Sequence, residues 1–403
     1  MDNEKLMTLL HEFKQLGATP MGGVTRCVYD DNWSLAQKKY VAVANDYGLY
    51  CFCDKMGTIY AATSDHISHK PVILTGSHID TVVNGGWLDG IYGVVSSVLA
   101  VGQLFQQFGT PKIPLCAVSF SEEEGSRFDA TFTGSRYLTH QLDDAVFNLK
   151  DHMGTTFNQE RENRVTELRQ VVPVGRPNFK IRSYIELHIE QGNTLEQSPA
   201  NIAVVTDIVG QKRLLITTKG ISNHAGTTQM LGRVDAMRKA VDLMTKIYSS
   251  LELMKGLRFT IGKIIAFPNV ANVIPEKVDI ALDIRHIDQN VLDQAFEQVT
   301  QIINAVGATY RLTTNVGATP MDYQLQQQVI RSMKQEKLVG ERLFSGAGHD
   351  AQVIANSKAP SVMIFVPSQD GVSHVPQENT AESDLLAGQR VLQRSLYDLA
   401  YCN

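Results

Sequence analysis

Residues 71–90 read PVILTGSHIDTVVNGGWLDG. The apolar run Val72–Leu74 has the composition of a short buried strand, and His78, Asp80 and Asp89 follow it among glycines. In open α/β sheets, ligands gather outside the carboxyl ends of the strands. Metal-binding residue types at this place therefore bear on fold and function together.

Outward from this stretch the same grammar repeats. "VILTGS", "PLCAVSF" and "VMIFVPS" read as buried strands, and they alternate with helical patterns such as Ile91, Val94, Val95, Val98, Leu99, Leu104, Phe105 and Phe108. That alternation predicts an α/β class: an α/β/α sandwich around a mixed, mostly parallel sheet. From about 212 to 318 the rhythm changes to βαββαβ, with strands in "QKRLLITTKG", "RFTIGKIIAF", "KVDIALDIRH" and "ATYRLTTNV" and helices over "RVDAMRKAVDLMTKIYSSL" and "VLDQAFEQVTQIINAV". This is the ferredoxin-like order. It predicts an α+β domain at 212–318 inserted into a discontinuous larger domain, 1–211 with 319–403.

Composition narrows the class. The 403 residues exceed the size at which a single core stops growing, and 43% apolar with 20% charged residues is ordinary for a globular enzyme. A formal net charge of −5 without a basic cluster speaks against nucleic acid. No membrane partner is expected either, since no run reads as the roughly 18 apolar residues of a bilayer span. "MDNEKLMTLLHEFKQLG" reads as an amphipathic helix with Leu6, Leu9, Leu10, Phe13 and Leu16 on one side, not as a signal peptide. Five scattered cysteines, with Cys51 and Cys53 as ordinary strand residues, fit a reducing cytoplasm better than a disulfide framework.

Chemistry-bearing residues recur behind the strand runs: Glu122, Glu123 and Glu124 after "LCAVSFS", His188 and Glu190 in "YIELHIEQG", and His374 after "VPSQDGVS". Each alone has a plain explanation as a loop histidine, an acidic turn or a helix start. Jointly they supply the imidazoles and carboxylates that a Zn²⁺ or Mn²⁺ pair needs, one carboxylate bridging ions about 3.5–4 Å apart. The assignment is Asp89 as bridge, His78 and His188 on one ion, Glu124 and His374 on the other. Asp80 joins the catalytic set as the acceptor that fixes the His78 tautomer. Glu123, beside a ligand on the backbone, is the general base that takes a proton from water.

Together these stretches resemble the aminoacylase-like superfamily of two-domain metallopeptidases, in particular its amidase branch acting on N-carbamoyl amino acids and allantoate. "GSHIDTVVNGGWLDG", "EEEGSRF", "ELHIEQG" and "GVSHVPQE" carry the resemblance, with "GGVTR", "SNHAGTT", "RVDAM", "NVIP", "LDIRH" and "SGAGHDA" agreeing over nearly the whole chain. The resemblance implies two divalent ions per subunit on the same five ligands, with Glu123 as base. It also implies that Gln191, His224, Asn272, Arg285 and His349 hold a small ureido acid, and that the small domain serves as lid and homodimer contact, hinged near 211 and 319. Arg285 suits a substrate carboxylate because its fork binds both oxygens. His224 and Asn272 suit an oxyanion. "GSHIDTVVNGG", "IVGQKR", "SGAGHDAQ" and "MIFVPS" lean toward allantoate, with an N-carbamoyl-L-amino-acid hydrolase as the rival. A dipeptidase, an aminoacylase and a catalytically silent metal-binding protein are further alternatives. Gln229 in "GTTQM" stands where the family commonly has proline.

Overall fold

A computed structural model describes residues 3–402; Met1, Asp2 and Asn403, and with them the ends of the amphipathic stretch and of the larger predicted domain, lie outside the described residues. The chain divides into two compact units, Met1–Thr206 with Met321–Asn403, and Asp207–Pro320.

The first unit is built on strands β1 (Tyr50–Cys53), β2 (Ile59–Ala62), β3 (Pro71–His78), β4 (Leu115–Phe120), β5 (Lys180–Ile189) and β6 (Ile202–Ile208). Strands β7–β10 belong to the second unit: Gly210–Lys219, Arg258–Phe267, Lys277–His286 and Thr309–Val316. β11 (Thr319–Pro320), β12 (Gly340–Ser345) and β13 (Ser361–Val366) complete the set. The large sheet runs β1-β2-β4-β3-β5-β13-β6-β11, with β12 also on β6.

Its centre, β4-β3-β5-β13, is parallel, whereas β2 on β4, β1 on β2 and β6 on β13 are antiparallel. Every residue of β4 and β13 is buried, as is β3 beyond Pro71. Strands covered on both faces need such continuous apolar runs, which is why they were legible in the sequence. The flanking strands are shorter or partly exposed, and they escaped that test.

Helix α1 (Ile91–Phe108) starts two residues after Asp89 and packs on β3, β4 and β5. It corrects the expectation about apolar runs: by length and composition it is apolar enough to cross a membrane. Its residues Ile91–Gly102 are all buried inside this unit, because it is the central core helix. A second helix, α2 (Asp350–Asn356), packs on β5 and β13. The N-terminal helix Asn3–Gln15 buries Leu6, Leu9, Leu10 and Phe13 as expected from its spacing.

The second unit has the βαββαβ order, with sheet order β10-β7-β9-β8 and all pairs antiparallel. Alternate residues Val278, Ile280, Leu282 and Ile284 of β9 are buried with Leu214 and Ile216 of β7 beneath two helices, Ala236–Leu251 and Gln289–Val306. The unit begins at Asp207 and ends at Pro320, where the sequence rhythm places its edges at 212 and 318. The difference arises because β11 pairs with the last residues of β6 and so carries both joining segments into this unit.

Candidate metal centre

His78 ends β3, His188 lies near the end of β5, and Glu123 and Glu124 follow β4, so three parallel neighbours deliver their polar residues to one edge. Asp89 arrives on the turn before α1. That turn closes on itself: Ile91 N donates to Asp89 O at 2.7 Å across Gly90, whose φ of 66° and ψ of −50° define a γ-turn of the rare positive-φ kind.

Asp89 sits at the centre. Its Oδ1 lies 3.5 Å from His78 Nε2 and 3.2 Å from His188 Nε2, while its Oδ2 lies 3.0 Å from His374 Nε2. Glu124 Oε1 lies 3.5 Å from His374 Nε2. Two groups, His78–Asp89–His188 and Asp89–Glu124–His374, thus bring potential ligand atoms within 4.8 Å of one another and share only Asp89. Two further groups overlap them, His78–Glu123–Glu124 and Glu186–His188–His349.

Asp80 stands behind both sides. Its Oδ1 is 3.3 Å from His78 Nδ1, and its two oxygens accept from Glu123 N at 3.0 Å and Glu124 N at 3.2 Å. One buried carboxylate therefore orients an imidazole and the backbone of the acidic turn. Glu122, the first of the three acids, shapes that turn by accepting from Gly125 N and Thr133 N.

The electrostatics suit cations. Burial opposes a charged His78 ring, but Asp80 and Asp89 outweigh it and hold its pKa well above that of free imidazole. Burial likewise opposes charge on Asp89, and His188, His374 and His78 pull its carboxyl well below the usual range. Burial and then Asp89 push Glu124 up to about 8, and the Asp89 contact raises His374 to about 9. Burial holds Glu123 well above the carboxylate range, with Glu124, Asp350 and Asp80 adding to it and His78 opposing.

Carboxylates packed this closely need positive charge, and the imidazole protons that supply it are those a divalent cation displaces. Glu124 Oε1 is moreover buried without a hydrogen-bond partner among the described residues. Three imidazoles and two carboxylates are a donor set that suits Zn²⁺ and Mn²⁺ alike. The residues present fit a pair of divalent ions.

The remaining expected residues divide between the units. Gln191, held at a φ of 58°, donates from Nε2 to Asp89 Oδ2 at 2.9 Å, so it is tied to the cluster itself. His349 is buried, with Nε2 2.9 Å from Ser345 Oγ and its ring edge-on to His188 at 4.7 Å between centroids. Burial, followed by His188, keeps its pKa well below the usual value.

In the second unit, His224 Nδ1 accepts from Gly226 N at 3.1 Å and Thr227 N at 3.3 Å, which places the proton of the neutral ring on Nε2. Asn272 O accepts from Ala225 N at 3.0 Å, so His224 and Asn272 sit on adjoining loops. Arg285, on β9, is anchored through Nε to Asp283 Oδ1 at 2.8 Å. Gln229 lies in the exposed loop after His224.

Some residues of this centre were not singled out beforehand. Glu186 accepts from Ser77 Oγ and Ala351 N; Asp350 is fully buried at the start of α2; and Glu378 accepts from the backbone under Asp89. Glu186, Asp350 and Glu378 lie within ELHIEQG, directly after His349 and within GVSHVPQE respectively, but only the fold shows what they touch.

A parallel-centred sheet with imidazoles and carboxylates converging beyond its strand ends defines a metallohydrolase-type centre. The chain belongs to Peptidase family M20/M25/M40, whose model matches residues 74–398. It is 40% identical to the allantoate amidohydrolase of Bacillus subtilis (strain 168), over 96% of this chain and 95% of that one. It is 30% identical to the N-carbamoyl-L-amino acid amidohydrolase of Geobacillus stearothermophilus, over 99% of each. Among solved structures it is similar to an amidase of the hydantoinase/carbamoylase family from Burkholderia vietnamiensis, with a TM-score of 0.86 and 30% identity, over 99% of this chain and 97% of that one.

Proposed function

We propose that this chain is a metal-dependent amidohydrolase that cleaves the carbamoyl C–N bond of a small ureido acid, allantoate ahead of N-carbamoyl-L-amino acids. The carrying observation is Asp89, which turns one oxygen to His78 and His188 and the other to His374 beside Glu124. Two divalent ions, Mn²⁺ or Zn²⁺, would be held by these five residues, Asp89 bridging. When bound, such a pair polarises a carbonyl oxygen and brings the pKa of a water toward about 7.

The chain's own groups then have separate tasks. Glu123, whose backbone is fixed by Asp80, takes the proton from the attacking water and passes it to the leaving nitrogen. The C–N bond breaks with its electron pair on that nitrogen, and the carbamate released ends as ammonia and carbon dioxide. Asp80 keeps His78 in one tautomer through Nδ1. For substrate contacts we assign Gln191 and His349 beside the cluster, and His224, Asn272 and Arg285 in the second unit. His224 offers an Nε2–H suited to a developing oxyanion, and Arg285, anchored by Asp283, suits a carboxylate.

The second unit would serve as lid and homodimer contact, and the free cysteines fit the cytoplasm. Greater identity to the allantoate enzyme than to the carbamoyl amino acid enzyme favours the first substrate.

Ammonia release by Mn²⁺-loaded protein, measured in parallel on allantoate and a panel of N-carbamoyl-L-amino acids, tests this. A preference for allantoate is expected; preference for a carbamoyl amino acid would transfer the site to the second substrate, and silence on both would sink the proposal.

A further inference from the structure

We infer that Glu378 is a positioning residue that sets the place of the second cation, acting through the backbone of Asp89 and the loop of His374. Glu378 is 1% exposed. Its Oε1 accepts from Leu88 N at 2.9 Å and from Asp89 N at 3.0 Å, and its Oε2 accepts from Ser373 Oγ at 2.6 Å. Ser373 Oγ lies in turn 3.3 Å from Asp89 Oδ2 and immediately precedes His374.

One carboxylate thus ties together two segments far apart in the chain. On one side is the turn that carries the bridging aspartate; on the other is the loop that carries His374, held at a φ of 62°. The space for it is reserved: a Cβ at Gly86 would overlap the Glu378 carboxylate, so residue 86 accommodates only glycine while Glu378 stays in place.

The effect should be unequal between the two ion positions. His78 and His188 are fixed by β3 and β5, with Asp80 O and Ile189 O as their Nδ1 partners. His374 and the Oδ2 side of Asp89 lie on loops and are held by two supports, Gln191 Nε2 at 2.9 Å from Asp89 Oδ2 and the Glu378–Ser373 strut, of which only the strut also fixes the backbone of Asp89. Loss of an outer partner of this kind costs about 10–100-fold in metal affinity. Here that loss falls on the position formed by Asp89, Glu124 and His374.

The inference rests on the two-cation reading, and wild-type protein separates the two. Calorimetric titration with Mn²⁺, alongside electron paramagnetic resonance of the loaded protein, should give two ions and an exchange-coupled signal for the wild type. If the wild type binds no ions, the proposed function fails first.

Given two in the wild type, Glu378→Ala should keep one tight ion, lose the second by about 10–100-fold and show the signal of an isolated Mn²⁺. Glu378→Gln keeps an acceptor oxygen for the backbone N–H groups and a group for Ser373, so it should recover the coupled signal. Gly86→Ala, which displaces Glu378 without removing it, should resemble Glu378→Ala. Equal weakening of both ions, or a lower melting temperature with both ions bound as in the wild type, would reduce Glu378 to a structural role.

Discussion

Gly90→Ala should damage both the fold and one half of the metal centre, and the structure separates the two effects. Gly90 has a φ of 66°, a region that L side chains rarely adopt. Forcing alanine there costs about 1–3 kcal/mol in backbone strain. The new Cβ would also fall 2.5 Å from His78 Nδ1 and 2.5 Å from the His78 carbonyl oxygen, one of them rigid backbone. Overpacking of that kind adds about 1–3 kcal/mol.

The expected loss is therefore about 2–6 kcal/mol, against the 5–15 kcal/mol typical of native proteins. At about 2 °C per kcal/mol for a unit of this size, melting in chelator should fall by about 4–12 °C. Gly48→Ala is the control: its φ is 71°, and a Cβ there meets nothing within 4 Å, so it carries the strain alone. Cation binding supplies the second readout. Displacing the His78 ring should weaken the ion shared by His78, Asp89 and His188, with the other ion less affected. Melting no lower than Gly48→Ala, together with wild-type binding of both ions, would refute the reasoning.

Further outcomes follow from single groups. Glu123→Gln should keep both ions by calorimetry yet lower kcat by about 10²–10⁴, the usual worth of a general base; unchanged turnover would remove Glu123 from that role. Asp54 is fully buried, accepting from Met56 N, Thr58 N and Tyr60 OH, and burial outweighs those bonds to raise its pKa from the ordinary 3.8 to about 7. A raised folded-state pKa favours the protonated form, so its stabilising share is complete below about pH 4 and is lost as pH rises through about 7, on the order of 4 kcal/mol. Asp54→Asn should therefore flatten the difference in melting temperature between pH 5 and pH 8 relative to the wild type, and an identical difference in the two proteins would contradict the assignment. Arg26 is fully buried and donates to the carbonyls of Ile79, Phe13 and Leu16, so Arg26→Met, which leaves those acceptors unpaired, should destabilise the protein by about 3–5 kcal/mol in chemical denaturation. A loss below about 1 kcal/mol would show that water replaces the guanidinium there.

The parts of the molecule legible in its sequence are those whose physics is local. Strands β3, β4 and β13 are buried on both faces and announce themselves as unbroken apolar runs. His78 and His188 are ligand types at or next to the last residues of β3 and β5, Asp89, Glu124 and His374 follow strand ends or their turns, and the structure brings all five together. Position behind a strand end is a signal that survives without coordinates.

Glu378 was hidden for the opposite reason. Its partners Leu88 and Asp89 lie 290 and 289 positions away, and the atoms it binds are backbone N–H groups, which leave no residue type to recognise. Glu186 and Asp350 are similar: carboxylates on a buried strand and at a helix start look like ordinary polar residues until packing shows them beside His188 and His78. The edges of the second unit shifted because the sequence rhythm marks where β7 begins, whereas the pairing of β11 with β6 decides which unit the connections join. Helix α1 carries Gly93, Ser96, Ser97 and Gly102 among its apolar residues, all of them buried, and the two glycines let neighbours approach: Gly93 faces Leu187 O, and Gly102 faces Tyr47.

Anomalous diffraction from Mn²⁺-loaded crystals tests the bridging role of Asp89 most directly. Two peaks about 3.5–4 Å apart are expected, one beside His78 and His188 and one beside Glu124 and His374, with a different oxygen of Asp89 on each. A single peak, or a pair for which Asp89 ligates only one ion, would contradict that role.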